Sequence, residues 1–117
     1  MAKDITIGVV GPCAAGKTTL INNLEEKGYC ARHIAQEHSY VKDMWERISK
    51  PSLLIYLEVS YENTIIRKRL KWSRNEYQTQ IERLCHARNH ADIYIDTNKL
   101  SSDEVFAQAI EGIQQQS

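Results

Sequence analysis

One segment near the start of the chain combines glycines, a lysine and hydroxyl side chains at a spacing that suits phosphate binding. Residues 11–18 read Gly-Pro-Cys-Ala-Ala-Gly-Lys-Thr and match the pattern G-x-x-x-x-G-K-[ST]. Glycines permit a tight wrap of the backbone, and successive N–H groups at the start of a helix can then surround phosphate oxygens. A simple glycine turn with an exposed lysine is the alternative, but it does not explain the lysine and threonine that follow.

Each residue type in this segment has its own expected contact with a nucleotide. The N–H groups from Cys13 to Thr18 would surround the phosphates, Lys17 would reach the β- and γ-phosphates, and Thr19 would touch the α-phosphate. The Thr18 hydroxyl would ligate Mg²⁺. The nucleotide-binding residues predicted in this loop are Gly11, Pro12, Cys13, Ala14, Ala15, Gly16, Lys17, Thr18 and Thr19.

The strands that must position this loop follow from short apolar runs. Ile5–Val10 is β-branched and ends at Gly11, which predicts a strand buried on both faces and entering a tight turn. The other predicted strands are Tyr29–Ile34, Leu53–Leu57 and Asp92–Ile95.

The helices are marked by apolar spacing and by capping residues. A helix is predicted from Thr18 to Lys27, ended by Gly28, and another from Ser39 to the residue before Pro51. Three more helices are predicted after the N-cap serines 60, 73 and 101, of which the last two are followed three residues later by a glutamate in a capping-box pattern. Alternating strands and helices predict parallel βαβ units in a three-layer α/β sandwich.

Composition limits the range of partners. The 117 residues carry 15 basic and 15 acidic side chains, so the molecule has no general attraction for nucleic acid or acidic membranes. Its size predicts one domain, 1–117, with one core. The three cysteines, Cys13, Cys30 and Cys85, form no CxxC pair, and no apolar run reaches the roughly 20 residues of a membrane span. A cytoplasmic protein without a nucleic-acid or membrane partner is expected.

The chain resembles the P-loop small-molecule kinases of the adenylate and shikimate kinase type over nearly its whole length. Residues 57–67 resemble the strand-to-lid segment of that family, which implies that Arg67 contacts ATP. Residues 82–93 resemble the stretch after the lid and give Arg83 a similar role, although Ala87 stands where the family has a tyrosine. Residues 92–105 resemble the closing strand, so that residues 96–99, including Thr97, would flank the base.

The resemblance also implies the fold, with one departure. The family has a further strand before the one at Leu53, which carries acceptor-binding or Walker B residues, and here only about 15 residues separate Ser39 from Leu53. We therefore expect a reduced P-loop NTPase sheet of four parallel strands in the order second, first, third, fourth. Glu58 falls on the strand that leads to the lid and is not assigned to Mg²⁺.

A basic cluster follows the helix after Ser60. Five positive charges fall within eight residues, which suits a lid that clamps phosphates, although a solvated helix face or a nucleic-acid patch are alternatives. Trp72, in the same stretch, could stack on a base. The cluster consists of Arg67, Lys68, Arg69, Lys71 and Arg74.

A polar segment follows the second predicted strand, at the edge where parallel sheets bind ligands. Glu37 is the candidate carboxylate for Mg²⁺ or the acceptor, and His38 is a candidate base or acceptor contact. The alternative is a polar loop in which Ser39 only caps a helix.

Two functions remain open. In the first, Lys17, Arg67, Glu37 and His38 are catalytic, and the γ-phosphoryl group of ATP moves to a small acceptor held near Glu37, His38 and Arg47. In the second, the chain is a nucleotide-binding module or a slow NTPase without an acceptor. ATP is favoured over GTP because residues 97–100 lack the acid of an N-K-x-D guanine reader.

Overall fold

Four short apolar segments pair side by side in one parallel sheet. The computed structural model describes residues 5–69 and 71–116, so the ends of the predicted domain 1–117 and residue 70 lie outside it. The order β2-β1-β3-β4 and the parallel direction of every pairing confirm the predicted α/β class, strand number and strand order. The strands are β1 Thr6–Val10, β2 Cys30–His33, β3 Leu53–Glu58 and β4 Ile93–Asp96.

In the described ranges four α-helices connect and cover the strands, and three of them begin after the predicted N-cap serines Ser60, Ser73 and Ser101. Ser60 Oγ accepts a hydrogen bond from the Asn63 N–H, and the capping box of Ser73 and Glu76 is complete. None of the helices in the described ranges is long and apolar enough to cross a membrane. The helices are α1 Lys17–Glu26, α2 Tyr61–Lys68, α3 Arg74–His90 and α4 Ser102–Gln116.

Side chains alternate between the two faces of the sheet, so the strands contribute to two separate core clusters. The first cluster joins the sheet to α1 and α4 and includes Ile7, Val9, Leu20, Ile55 and Ala109. The second joins it to α3 and consists of Val10, Ile34, Trp45, Leu54, Tyr56, Leu84 and Ala87. Helices therefore pack on both faces, and the carboxyl ends of the strands are left to carry the site.

The end of β1 passes too close to β3 for a side chain. A Cβ on Gly11 would lie 2.5 Å from the Leu57 carbonyl oxygen, which is a backbone atom that cannot turn aside. Glycine at this position lets the following loop start directly against the carboxyl end of β3.

The helix predicted from Ser39 to the residue before Pro51 is present only in its second half, as one π-helical turn at Trp45–Ser49. A 3₁₀ turn at Gln36–His38 comes before the predicted start. Ser39 has an extended conformation, with φ −103° and ψ 135°, and so does not cap a helix.

The side chain of Gln36 explains this difference. Its amide oxygen accepts the Trp45 N–H at 2.8 Å, and its amide nitrogen donates to the Val41 carbonyl at 2.8 Å. A side chain that takes up backbone groups in this way offers them an alternative to helical hydrogen bonds. Gln36 is almost fully buried, so these bonds fix the segment in place.

Candidate functional site

The loop between β1 and α1 leaves the start of α1 uncovered. Gly16 is the N-cap with a φ of 92°, and no side chain caps the helix. Ala14 also has a positive φ, 69°. The first N–H groups of α1 are therefore directed outward together, an arrangement that favours an anion.

A cavity of about 310 Å³ opens beside this loop. Its walls come from the loop and the first turn of α1, from the end of α2, from the segment after β4 and from the start of α4. Its size lies at the lower end of the range of small-molecule sites, which is roughly 300–1,000 Å³. The lining residues are Ala14–Leu20, Arg67, Lys68, Thr97, Leu100, Ser102 and Val105.

Arg67 joins three parts of the cavity wall. Its guanidinium donates to the Thr97 hydroxyl at 2.9 Å, to the Thr97 carbonyl and, at 3.4 Å, to the Ala14 carbonyl. None of these acceptors is charged, and in the described ranges Arg67 has no ion pair. The structure thus brings together Arg67, Thr97 and the loop, as the resemblance implied, with an uncompensated positive charge at the cavity.

The other members of the predicted lid lie in three different environments. Lys68 also lines the cavity, whereas Arg69 and Lys71 are exposed at the surface. Arg74 forms an ion pair with Glu62 and lies 4.6 Å from the centre of the Tyr61 ring. It therefore has a structural role outside the cavity.

Trp72 packs within the protein and does not line the cavity. Its indole N–H donates to the Thr64 hydroxyl at 2.9 Å, and its ring meets the Tyr77 ring edge-on at 6.0 Å between centres. Stacking of this ring on a base stays a prediction, made by a side chain that is not among those lining the cavity.

Lys17 is buried and fully hydrogen-bonded. Its Nζ donates to the Gly11 carbonyl at 2.5 Å, to the Pro12 carbonyl at 3.0 Å and to Glu37 Oε2 at 2.9 Å. An ammonium group has three donors, and all three are used. A phosphate must therefore compete with the loop carbonyls and with Glu37 for this side chain.

Two of the six N–H groups expected to surround phosphate have other acceptors. The Cys13 N–H donates to Gln80 Oε1 at 3.0 Å, and the Ala15 N–H donates to the Pro12 carbonyl at 3.2 Å. Gln80 is buried on α3 and was not predicted to be a site residue, because a glutamine within an apolar helical pattern gives no sequence signal. The expected ring of amides is thus reduced to the groups from Gly16 onward and that of Ala14.

Glu37 is almost completely buried, with 2% of the residue exposed. Its Oε2 accepts from Lys17, and its Oε1 has no hydrogen-bond partner in the described part of the chain. The Nε2 atoms of His33 and His38 lie 3.7 and 3.8 Å from Oε2. Thr18 lines the cavity, whereas Glu37 does not line it and instead bonds the side chain of Lys17, the residue before Thr18.

Arg83 and Arg47 lie outside the cavity lining. Arg83 donates to the Glu37 carbonyl at 3.3 Å and lies 4.4 Å from the centre of the Tyr40 ring. Arg47 donates to Asp43 at 3.0 Å, and this hydrogen bond lowers the pKa of the Asp43 carboxyl. Arg83 therefore supports the turn that contains Glu37, and its contact with nucleotide stays a prediction.

Glu58 belongs to a different cluster. Its Oε1 accepts from the Tyr94 hydroxyl at 3.1 Å and lies 3.6 Å from Arg88 Nε. Burial is the main cause that raises the pKa of the Tyr94 hydroxyl, and the negative charge of Glu58 raises it further. Glu58 therefore contacts Tyr94 and Arg88, on the sheet edge strand and the helix beside it.

Comparison with known proteins does not assign the chain to a family. A scan against protein-family models found no match, and a search of curated proteins found no relative.

Proposed function

We propose that the protein binds ATP with Mg²⁺ in the cavity beside loop 11–16 and transfers the γ-phosphoryl group to a small-molecule acceptor. The observation that supports this best is the composition of one cavity. It combines the uncapped start of α1 with the cationic side chains of Lys17 and Arg67. These are three independent features that favour a polyphosphate.

The proposal includes the three-layer P-loop NTPase fold in a shortened form. A strand–loop–helix unit with the G-x-x-x-x-G-K-[ST] pattern lies at the carboxyl edge of the parallel sheet. Helices on both faces of the sheet are compatible with that fold. The resemblance to adenylate and shikimate kinases supplies the rest of the proposal.

The chain's own groups have distinct parts in this proposal. The N–H groups at the start of α1 bind and orient the phosphates, and Lys17 leaves the loop carbonyls to neutralise charge on the β- and γ-phosphates. Arg67 stabilises the negative charge that develops as the bond from the γ-phosphorus to the bridging oxygen breaks and the bond to the acceptor oxygen forms. Thr97 holds the Arg67 guanidinium in position.

Part of the predicted Mg²⁺ site fits. The Thr18 hydroxyl is exposed at the cavity and can act as an oxygen ligand, while Glu37 is turned to Lys17 instead. Bound Mg²⁺ would supply charge neutralisation on the phosphate oxygens. Magnesium commonly retains several waters beside its protein and phosphate ligands, so one hydroxyl is compatible with such a site.

Calorimetry with ATP and Mg²⁺ tests nucleotide binding. We expect saturable binding by the parent protein, a loss of at least about tenfold in affinity, or 1.4 kcal/mol, in Arg67→Ala, and no change in the matched control Arg74→Ala. If ATP at about 1 mM, the upper end of common KM values, produces neither heat nor protection against thermal unfolding, the proposal is wrong.

A second candidate is a nucleotide-binding module or slow NTPase without an acceptor. The observation in its favour is that Glu37, the carboxylate predicted to serve the acceptor, is 2% exposed and paired with Lys17. ADP release measured with and without nucleosides and small hydroxy compounds separates the two. A rate that rises with one acceptor class supports the kinase, and a rate indifferent to all of them supports the module.

A further inference from the structure

Three chemically different metal-ligating side chains converge beside loop 11–16. The sulfur of Cys13, a carboxylate oxygen of Glu37 and a ring nitrogen of His38 all lie within 4.8 Å of one another. Cys13 follows β1 and the other two lie in the turn after β2, so the pairing of these neighbouring strands brings the donors together. Neither Glu37 nor His38 lines the cavity proposed for nucleotide.

One oxygen of the buried Glu37 carboxylate, Oε1, lacks a hydrogen-bond partner among the described residues. A buried charged oxygen without a hydrogen-bond partner has lost its hydration without compensation, which is unfavourable. The single positive charge of Lys17 is held on the other oxygen, Oε2. A ligand that accepts electron pairs from Oε1 would remove this cost.

The donor set indicates the kind of ligand. Sulfur and imidazole nitrogen are poor ligands for Mg²⁺ but good ligands for zinc and related transition metals. A tetrahedral zinc ion with bonds of about 2.0–2.3 Å places its ligand atoms roughly 3.3–3.8 Å apart. Donors that lie up to 4.8 Å apart therefore need to approach by about 1.5 Å at most. The His38 side chain is 61% exposed and is free to make this adjustment.

Some groups beside the three donors favour the binding of a cation, and one opposes it. Gln80 donates from Nε2 to Cys13 Sγ at 3.2 Å, a contact that would orient a metal-bound sulfur. The His33 ring nitrogen, 3.7 Å from Glu37 Oε2, is the nearest further imidazole. Lys17, 2.9 Å from the same oxygen, opposes a second positive charge and lowers the affinity.

We propose that Cys13, Glu37 and His38 bind a divalent transition-metal ion of the zinc class, with a fourth position left for water or His33. This site is separate from the Mg²⁺ position proposed at Thr18. It requires no nucleotide, so its test is independent of the proposed function.

Cobalt(II) is a suitable probe because a thiolate ligand gives it a charge-transfer band in the near ultraviolet. Metal-free protein is titrated with Co²⁺ in the absence of nucleotide, and Zn²⁺ is then added to displace it. We expect the band in the parent and its loss in Cys13→Ser. Cys30→Ser and Cys85→Ser are matched controls, because both cysteines are free and exposed, and they should retain the band.

Zinc affinity measured against a chromophoric chelator completes the test. His38→Ala should lower the zinc affinity at least about tenfold, or 1.4 kcal/mol. Because the His38 ring is largely exposed, we do not expect its removal to unfold the protein. Far-ultraviolet circular dichroism checks that each variant is folded. The proposal is overturned if the parent shows no thiolate band, if Cys13→Ser retains it, or if His38→Ala binds zinc as the parent does.

Discussion

Replacing Lys17 by alanine is expected to destabilise the fold as well as weaken nucleotide binding. The reason lies in the burial of its partner. Lys17 and Glu37 are joined at 2.9 Å, and their side chains are 8% and 3% exposed. Without the ammonium group, neither oxygen of the buried Glu37 carboxylate has a hydrogen-bond donor among the residues that the structure describes.

The burial of both side chains determines how much stability the Lys17→Ala variant should lose. An exposed ion pair contributes about 0–1 kcal/mol, whereas removing one member of a buried pair costs about 3–5 kcal/mol. The low exposure of both partners places this pair in the second class. Since a domain of this kind has a total stability of about 5–15 kcal/mol, Lys17→Ala should lose a large part of it.

Glu37→Gln is expected to be milder, because Lys17 keeps two of its acceptors. The carbonyls of Gly11 and Pro12 lie 2.5 and 3.0 Å from Nζ. We expect a loss of about 1–3 kcal/mol, in the range of one hydrogen bond to a charged group. The double variant Lys17→Ala/Glu37→Gln removes both charges and should be more stable than Lys17→Ala alone by about 2 kcal/mol or more.

Urea unfolding followed by far-ultraviolet circular dichroism at pH 7 measures all four proteins in one cycle. If the free energy of unfolding of Lys17→Ala lies within about 1 kcal/mol of the parent value, the pair does not behave as a buried ion pair. The same conclusion follows if the double variant is no more stable than Lys17→Ala. The cycle also has a practical consequence. Nucleotide affinity of Lys17→Ala must be measured under conditions where that variant is folded.

Three further predictions concern the loop, the cavity and the core. Arg67→Ala should lower the single-turnover rate of phosphoryl transfer at saturating ATP and Arg74→Ala should not, and equal rates would remove Arg67 from the proposed mechanism. Ala14→Gly should stabilise the protein by about 1 kcal/mol in urea unfolding because Ala14 has a φ of 69°, whereas Ala15→Gly, without positive φ, should destabilise it; the reverse order would contradict the assigned backbone strain. Burial is the main cause that raises the pKa of Tyr77 to about 12, so the folded state holds this proton more tightly than the unfolded state, with its pKa near 10, and stability should fall as the pH rises from about 10 to 12. Urea titrations at pH 8 and pH 11 measure the free energy of unfolding, and Tyr77→Phe should lose less of it than the parent when the pH is raised. Equal losses in the two proteins would mean that Tyr77 does not cause the pH dependence.

The fold was predictable where each feature depends on neighbouring residues. Short apolar runs predicted the strands, and the pairs Ser73 with Glu76 and Ser101 with Glu104 predicted two helix starts. The strand order was implied by the family resemblance, with the strand before Leu53 removed, and the structure has that order. These signals are local or topological, so no knowledge of side-chain contacts was needed.

The site was predictable only in part, because its main contacts join residues far apart in the chain. Gln36 replaces a helix by accepting from Trp45 and donating to Val41 and Arg83, a role that a glutamine does not show in sequence. Gln80, which lies 67 residues after Cys13 in the chain, accepts a hydrogen bond from the Cys13 N–H. The residue types predicted a charged Glu37 near the sheet edge, but not that Lys17 would bury it.

Glu37 links the two proposals made for this protein. A polyphosphate that draws Lys17 away from Glu37 removes a positive charge from the carboxylate, and a cation held with Cys13 would then bind more tightly. By thermodynamic reciprocity the metal must raise nucleotide affinity by the same factor. In a buffer that fixes free Zn²⁺, nucleotide affinity should therefore rise with zinc in the parent and stay constant in Cys13→Ser. A zinc-independent affinity in the parent would mean that Lys17 remains on Glu37 when phosphate binds.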